Sequence, residues 1–188
     1  MVWGGRKPSS FLEWGAMKIV VMGYSGSGKS TLAKQLAQRY DLPLLYLDTV
    51  WFRAGWQERE PEAARADVAA FLRQDSWVID GNYSQLCREE RLEQADRIVY
   101  LAFPRLLCLW RALRRYRDYR GRRRESAAEG CEEKLDAEFI WWILYQGRRP
   151  AVRAARRAWE KRYGEKMVVL RSPQAVKRFL EKDLSPEG

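Results

Sequence analysis

From Lys18 onward, short apolar runs alternate with longer segments whose apolar residues recur every three or four positions. "KIVVM" (18–22), "LPLLYL" (42–47), "SWVID" (76–80), "RIVYLAF" (97–103) and "EKMVVLR" (165–171) predict five buried strands. "GKSTLAKQLAQRY" (28–40) predicts a helix with Leu32, Leu36 and Tyr40 on one side. "PEAARADVAAFLRQ" (61–74) predicts another, with Pro61 in its first turn, and "SQLCREERLEQA" (84–95) a shorter one. A long helix is expected from near Pro104, followed by helices in "EKLDAEFIWWILYQ" (133–146) and "PAVRAARRAWEKRY" (150–163). The last, "SPQAVKRFLEKD" (172–183), has Ser172 as N-cap and Pro173 at its first position. Strands that are apolar almost throughout, alternating with helices, predict a parallel sheet covered on both faces. The fold class is therefore α/β, in three layers.

The 188 residues are enough for a domain with a sizeable core, expected over 17–183 with a tail at 184–188. Residues 1–16, "MVWGGRKPSSFLEWGA", show no period and lack the apolar core of a signal peptide. They are expected to be a disordered or artefactual extension, with Met17 as the natural start. The alternative is an arm that docks through Trp3 and Trp14. No run of about eighteen apolar residues occurs, so no membrane-spanning helix is predicted. Cys87, Cys108 and Cys131 form no CxxC pair, which fits free thiols and a cytoplasmic protein. Histidine is absent, which excludes His-based metal ligation and His acid–base catalysis. The net charge of +10 points to anionic partners.

The chemistry is most legible in "VMGYSGSGKSTLAKQLA" (21–37). Gly23 to Ser30 reads GYSGSGKS, a full match to G-x-x-x-x-G-K-[ST] with a strand before it and a helix after it. Small residues at Gly23, Ser25, Gly26, Ser27 and Gly28 let successive N–H groups turn inward and ring an anion. The helix start adds unpaired N–H groups and the positive end of its dipole. Lys29 supplies charge to the outer phosphates, Ser30 offers a hydroxyl to Mg²⁺, and Thr31 can reach an inner phosphate. The expectation is a P-loop that binds ATP with Mg²⁺. No N-K-x-D motif of the GTPase kind follows, and the length suits small-molecule and nucleotide kinases.

Asp48 closes the second predicted strand in "LYLDTVW", at the carboxyl end where ligands gather in α/β sheets. There it can orient an acceptor hydroxyl, take its proton or hold Mg²⁺ through water. As a purely structural residue it would cap a turn. Asp80 closes the third strand in "WVIDGNY" and suits a Mg²⁺ water or the acceptor pocket, with Asn82 and Tyr83 at the same mouth. Which aspartate acts as base stays open at this level. Trp51, Phe52, Arg53 and Trp56 fall where such kinases place their acceptor segment. Arg53 suits an acceptor phosphate, whereas aromatic residues there serve equally as core.

Residues 105–124 carry nine arginines and one acid. Leu106, Leu109, Trp110 and Leu113 predict a buried stripe, and the segment 105–130 reads as an arginine-rich helical lid. Arg111, Arg115 and Arg124 are the candidates to close over the triphosphate and stabilise the transferring phosphoryl group. The same run also permits nucleic-acid contact, although no nucleic-acid motif accompanies it. "EFIWWILYQ" (138–146) predicts packing against the lid helix or a dimer surface, which leaves monomer and homodimer open. "LRSPQ" (170–174) falls where related kinases wrap the adenine.

The P-loop, "LYLDTVWFRAGW", "WVIDGNY", "ADRIVYLAFPRLLCLWRALRR" and "GRRR…EGCEEKLDAEFIWWIL", in that order, resemble the adenylate-kinase-like P-loop proteins often labelled DNA topology modulation proteins. The resemblance runs from about Met17 to Leu180. The P-loop is generic to the superfamily; LDTVW, DGNY and PR-x-x-C-L-x-R are more specific. It implies an adenylate-kinase-like P-loop NTPase with a five-stranded parallel sheet in the order 2-3-1-4-5. It further implies phosphoryl transfer from ATP to a small-molecule or nucleotide acceptor. The alternative function is a nucleotide-dependent regulator that contacts DNA through the arginine-rich segment. The monophosphate-gripping pattern of adenylate kinases is missing after the second strand, where "DTVWFRAGW" stands instead.

Overall fold

The computed structural model describes residues 16–122 and 124–182. The expected tail at 184–188, Arg123 and all of the expected N-terminal extension except Ala16 lie outside the described residues.

Strand β1 (Lys18–Gly23) is buried from Ile19 onward and offers water no polar face. A strand of that kind is stable only at the centre of a sheet covered on both sides. It pairs in parallel with β5 (Trp77–Asp80) and with β6 (Arg97–Leu101). β2 (Leu44–Tyr46) joins β5, and β7 (Met167–Leu170) joins β6, both in parallel. The order is β2-β5-β1-β6-β7. The labels differ from the expected 2-3-1-4-5 because two further strands enter the numbering; the five predicted strands pair in the expected order. A hairpin of two extra strands, β3 (Phe52–Arg53) and β4 (Gln57–Glu58), enters the chain after β2 and forms a separate sheet. Strands of two residues are too short to leave a periodic signal.

Successive β1 residues face opposite layers. Ile19 and Val21 pack with α1 (Lys29–Tyr40), α5 (Arg105–Tyr119), α6 (Ala137–Leu144) and α8 (Pro173–Lys182). Val20 and Met22 pack with α2 (Leu47–Trp51), α3 (Pro61–Phe71), α4 (Arg88–Gln94) and α7 (Pro150–Tyr163). Ser172 Oγ accepts from the Ala175 N–H at 3.1 Å, as its N-cap position predicts. Asp136 caps α6 in the same way, accepting from the Phe139 N–H at 2.8 Å.

Of the stripe expected on α5, only Leu109 packs against the core. Cys108 and Ala112 are its buried residues, whereas Leu106, Trp110 and Leu113 are 71%, 56% and 46% exposed. The small residues face inward because the loop after β1 lies against this helix. A Cβ on Gly26 would stand 2.3 Å from the Cys108 carbonyl oxygen. The first part of the expected lid thus belongs to the core layer. Trp141, Trp142 and Tyr145 of the α6 region are also exposed. Among the described residues, no helix is long and apolar enough to cross a membrane.

The loop after β5 is held by one buried cation. Arg91 is fully buried on α4 and donates to the carbonyls of Leu86 at 2.8 Å, Gly81 at 3.2 Å and Tyr83 at 2.6 Å. Burial lowers its pKa to about 10. Arg91→Ala should destabilise the fold by about 3 kcal/mol or more, because it strands three carbonyls in a buried turn. Denaturant unfolding measures this; a loss under about 1 kcal/mol would mean that water replaces the guanidinium.

Candidate active site

The chain leaves β1 through a tight loop and enters α1 at Gly28, whose φ of 93° is in the left-handed region. Inside the loop two carbonyls are already used. Tyr24 O accepts from the Ser27 N–H at 3.1 Å, from Ser27 Oγ at 2.6 Å and from Lys29 Nζ at 3.3 Å. Ser27 O accepts from Arg111 Nη1 at 3.0 Å. The N–H groups of Ser25, Gly26, Gly28, Lys29, Ser30 and Thr31 donate to no group among the described residues. Unpaired amides around one loop and one helix start form a concave surface whose chemistry suits an anion.

At the floor of this cradle Ser30 Oγ donates to Asp80 Oδ2 at 2.6 Å. Asp80 Oδ1 is buried and has no hydrogen-bond partner. Burial pushes the Asp80 carboxyl up to about 6, with Asp48 adding to the rise; Lys29, the Ser30 hydroxyl and Arg124 oppose it. These residues fit a Mg²⁺ ion. An orphaned buried carboxylate oxygen beside a P-loop hydroxyl is a ligand pair in want of a cation. Among the described residues no group of three or more His, Cys, Asp or Glu side chains gathers to hold a metal. An ion here would therefore need phosphate oxygens as well, as Mg²⁺ ordinarily does.

Asn82 serves the loop. Its Nδ2 donates to Gly23 O at 2.7 Å, and its Oδ1 accepts from the Gly23 N–H at 3.0 Å. The side-chain amide thereby ties the end of β1 to the exit of β5. Asp48 sits in the first turn of α2, one residue beyond the strand end expected from the sequence. Its Oδ1 accepts from the Tyr83 hydroxyl at 2.8 Å. Burial, reinforced by Asp48, raises the Tyr83 pKa, so the phenol stays a donor. Trp51 is 5% exposed and packs in the core, its ring 6.0 Å from that of Tyr83. Arg53 is exposed on the hairpin, and its carbonyl accepts from Cys131 Sγ at 3.0 Å.

A cleft of about 940 Å³ opens over the cradle. Gly26 to Thr31 form one wall, and Arg111, Arg115 and Arg124 form another. Trp110, Arg114, Pro173, Val176 and Lys177 extend it away from the loop, so the "LRSPQ" segment contributes Pro173. Asp48, Trp51, Arg53, Asp80 and Asn82 lie outside its walls. Lys34 of α1 pairs with Glu125 across the cleft margin. Of the remaining arginines in the run, Arg114 and Arg117 pair with Asp118, and Arg105 lies over the Tyr145 ring.

Two residues escaped the sequence reading. Glu133, with its side chain 2% exposed, accepts from Arg115 Nε at 2.6 Å and from Arg124 Nε. Arg148 lies 3.8 Å over the Tyr24 ring and donates to Phe103 O at 2.9 Å, bracing the cradle from behind. Glu133 carried no distinguishing signal, being one of six acids between positions 125 and 138. Nor did Arg148, whose bonds to Phe103 O and Cys108 Sγ join positions 45 and 40 apart.

The raised Asp80 pKa has a definite sign. The folded state holds the proton more tightly than the unfolded chain, whose carboxyl titrates near 3.8. Magnesium-free protein is therefore stabilised by this group as pH falls from about 7 through 6 towards 4. Asp80→Asn should be the more stable protein at pH 7, by on the order of 2–3 kcal/mol, and should lose that advantage near pH 4. Paired unfolding curves at the two pH values read this directly; a pH-independent difference would contradict it.

No family model matches the chain, and no curated protein matches it. Among solved structures it is similar to a shikimate kinase from Bacteroides thetaiotaomicron, at 19% identity and a TM-score of 0.48, covering 88% of this chain and 97% of that one. It is similar to a gluconokinase from Sinorhizobium meliloti, at 17% identity and a TM-score of 0.47, covering 88% of each. A third similar structure is an uncharacterized protein from Eubacterium ventriosum, at 15% identity and a TM-score of 0.48, covering 88% of this chain and 97% of that one.

Proposed function

We propose that this protein transfers the γ-phosphoryl group of ATP to a small-molecule or nucleotide acceptor. The observation that carries this is the ring of six unpartnered N–H groups above the Ser30–Asp80 pair. Such a ring recognises polyphosphate by main-chain donors and leaves Lys29 to meet the outer phosphates. Ser30 and Asp80 would hold Mg²⁺, which neutralises charge on the phosphates when bound.

The remaining residues divide the work. Arg111, Arg115 and Arg124 act as the phosphate-facing side of a lid and stabilise charge on the transferring group. Their inward placement favours phosphate handling over contact with DNA. Asp48 orients the acceptor. Tyr83 fixes its Oδ1, and Oδ2 is left to accept a hydrogen bond or proton from an acceptor hydroxyl. Arg53, exposed on the hairpin, is the acceptor-side cation. The finer placement, among adenylate-kinase-like proteins labelled for DNA topology modulation, rests on LDTVW, DGNY and PR-x-x-C-L-x-R alone.

A panel of sugars, hydroxy acids and nucleoside monophosphates, each offered with MgATP, tests this through ADP release. Asp48→Asn should cut turnover about 100-fold or more while ATP affinity stays within about threefold of the parent. Lys29→Ala should lose most ATP affinity, by about tenfold or more. The proposal fails if ATP binds without dependence on magnesium, or if Lys29→Ala binds it as the parent does.

A further inference from the structure

The arginines that face the cleft do not hang freely over it. Glu133 Oε1 takes Arg115 Nε at 2.6 Å, and Oε2 takes Arg124 Nε. Each guanidinium is thus gripped at its inner nitrogen. The terminal nitrogens of Arg115 have no acceptor among the described residues, and Arg124 spends only Nη1, on Ser126 Oγ at 3.0 Å. Both arginines line the same cleft as Gly26 to Thr31.

The charges do not balance. One buried carboxylate faces two guanidiniums whose side chains are 25% and 15% exposed. Two partly desolvated cations beside one anion leave an excess positive charge, which an incoming anion would satisfy. Burial and the neighbouring Arg124 lower the Arg115 pKa, and Glu133 and Asp48 offset this only in part.

The segment bearing Glu133 is itself fastened down. The Gly55 N–H donates to Gly130 O at 3.1 Å, and Trp56 Nε1 donates to Glu132 O at 2.8 Å. Cys131 is buried with Ala127 and Ala128 against Phe52 and Trp56. A Cβ on Gly130 would meet Ala54 Cβ at 2.7 Å, so the two backbones are in close contact. Trp56 holds a φ of 61° there, a conformation that a bulky residue keeps only when its surroundings enforce it. The segment bearing Glu133 is therefore anchored by the β3–β4 hairpin.

We infer that Glu133 is a positioning residue: it sets Arg115 and Arg124 as one preformed pair aimed at the polyphosphate, with its own place fixed by the hairpin. The inference rests on the phosphotransferase reading. A preformed pair costs little side-chain entropy at the moment of binding, unlike two free arginines. It also gives Glu133 a sign that simple charge does not share. As a mere negative charge near the site, Glu133 would repel phosphate, and its removal would tighten binding. As a positioning residue, its removal loosens binding.

Calorimetric titration with inorganic tripolyphosphate separates the two. Glu133→Gln removes the charge and keeps the shape; Glu133→Asp keeps the charge and withdraws the carboxylate by one methylene. Both should weaken tripolyphosphate binding by about tenfold or more, relative to the parent at equal ionic strength. Should Glu133→Gln fail to fold, Glu133→Asp carries the test, with its melting temperature read alongside. Folded variants that bind as tightly as the parent, or more tightly, overturn the inference. Lys29→Ala is the separate control on the cradle. If it loses affinity while both Glu133 variants match the parent, only the positioning role falls. If the parent itself binds no tripolyphosphate, the phosphotransferase reading falls and the inference falls with it.

Discussion

Two glycines approach neighbouring backbone more closely than any side chain allows, and the rest of the site follows from that. A Cβ on Gly23 would lie 2.4 Å from the Leu101 carbonyl oxygen, and one on Gly26 would lie 2.3 Å from that of Cys108. The loop after β1 is thereby seated directly on β6 and α5. Seated there, it spends its carbonyls inward, on Ser27, Lys29 and Arg111. Its N–H groups are left facing out, and the start of α1 adds three more. Polyphosphate would meet main chain at this surface, in a geometry that rotamer changes cannot alter.

Three ionic groups near the cradle, Asp80, Arg91 and Glu133, are buried, and each has a partner that explains its presence. Asp80 has Ser30 on one oxygen and Lys29 nearby. Arg91 has three carbonyls, and Glu133 has two arginines. Buried charge is expensive without such company, so these groups set geometry more than they add stability. Asp80 Oδ1 lacks a partner, and in the proposed reading a bound cation supplies it.

The hairpin and the segment around Cys131 connect the two halves of this site. Asp48 and Tyr83 lie on the β2–β5 side of the sheet, and Arg115 and Arg124 reach in from the β6 side. The clasp of Gly55, Trp56, Gly130 and Cys131 joins them above the strand ends. A group bound near Asp48 and a phosphate bound at the arginines would thus share one rigid frame.

The sequence by itself determined the alternation of strands and helices, the glycine-rich turn between β1 and α1, the Ser172 cap and the burial of Leu32, Leu36 and Tyr40. Each of these is written in neighbouring residues, through periodicity, glycine placement or a capping hydroxyl. It did not contain the two-residue strands of the hairpin, which are too short for a period. It misplaced the buried side of α5, where Leu106 and Trp110 face water and Cys108 and Ala112 face the loop. Hydrophobicity alone favours the larger side chains, but close backbone approach requires the smaller ones. The duties of Asn82, Arg148 and Glu133 were decided only in the tertiary structure. Asn82 binds a glycine 59 positions away, and Arg148 a carbonyl 45 positions away. Glu133 joins two arginines from different segments, 18 and 9 positions distant. Such pairings depend on which segments the crossovers bring to the mouth of the sheet, and no local pattern of polar and apolar residues encodes that choice.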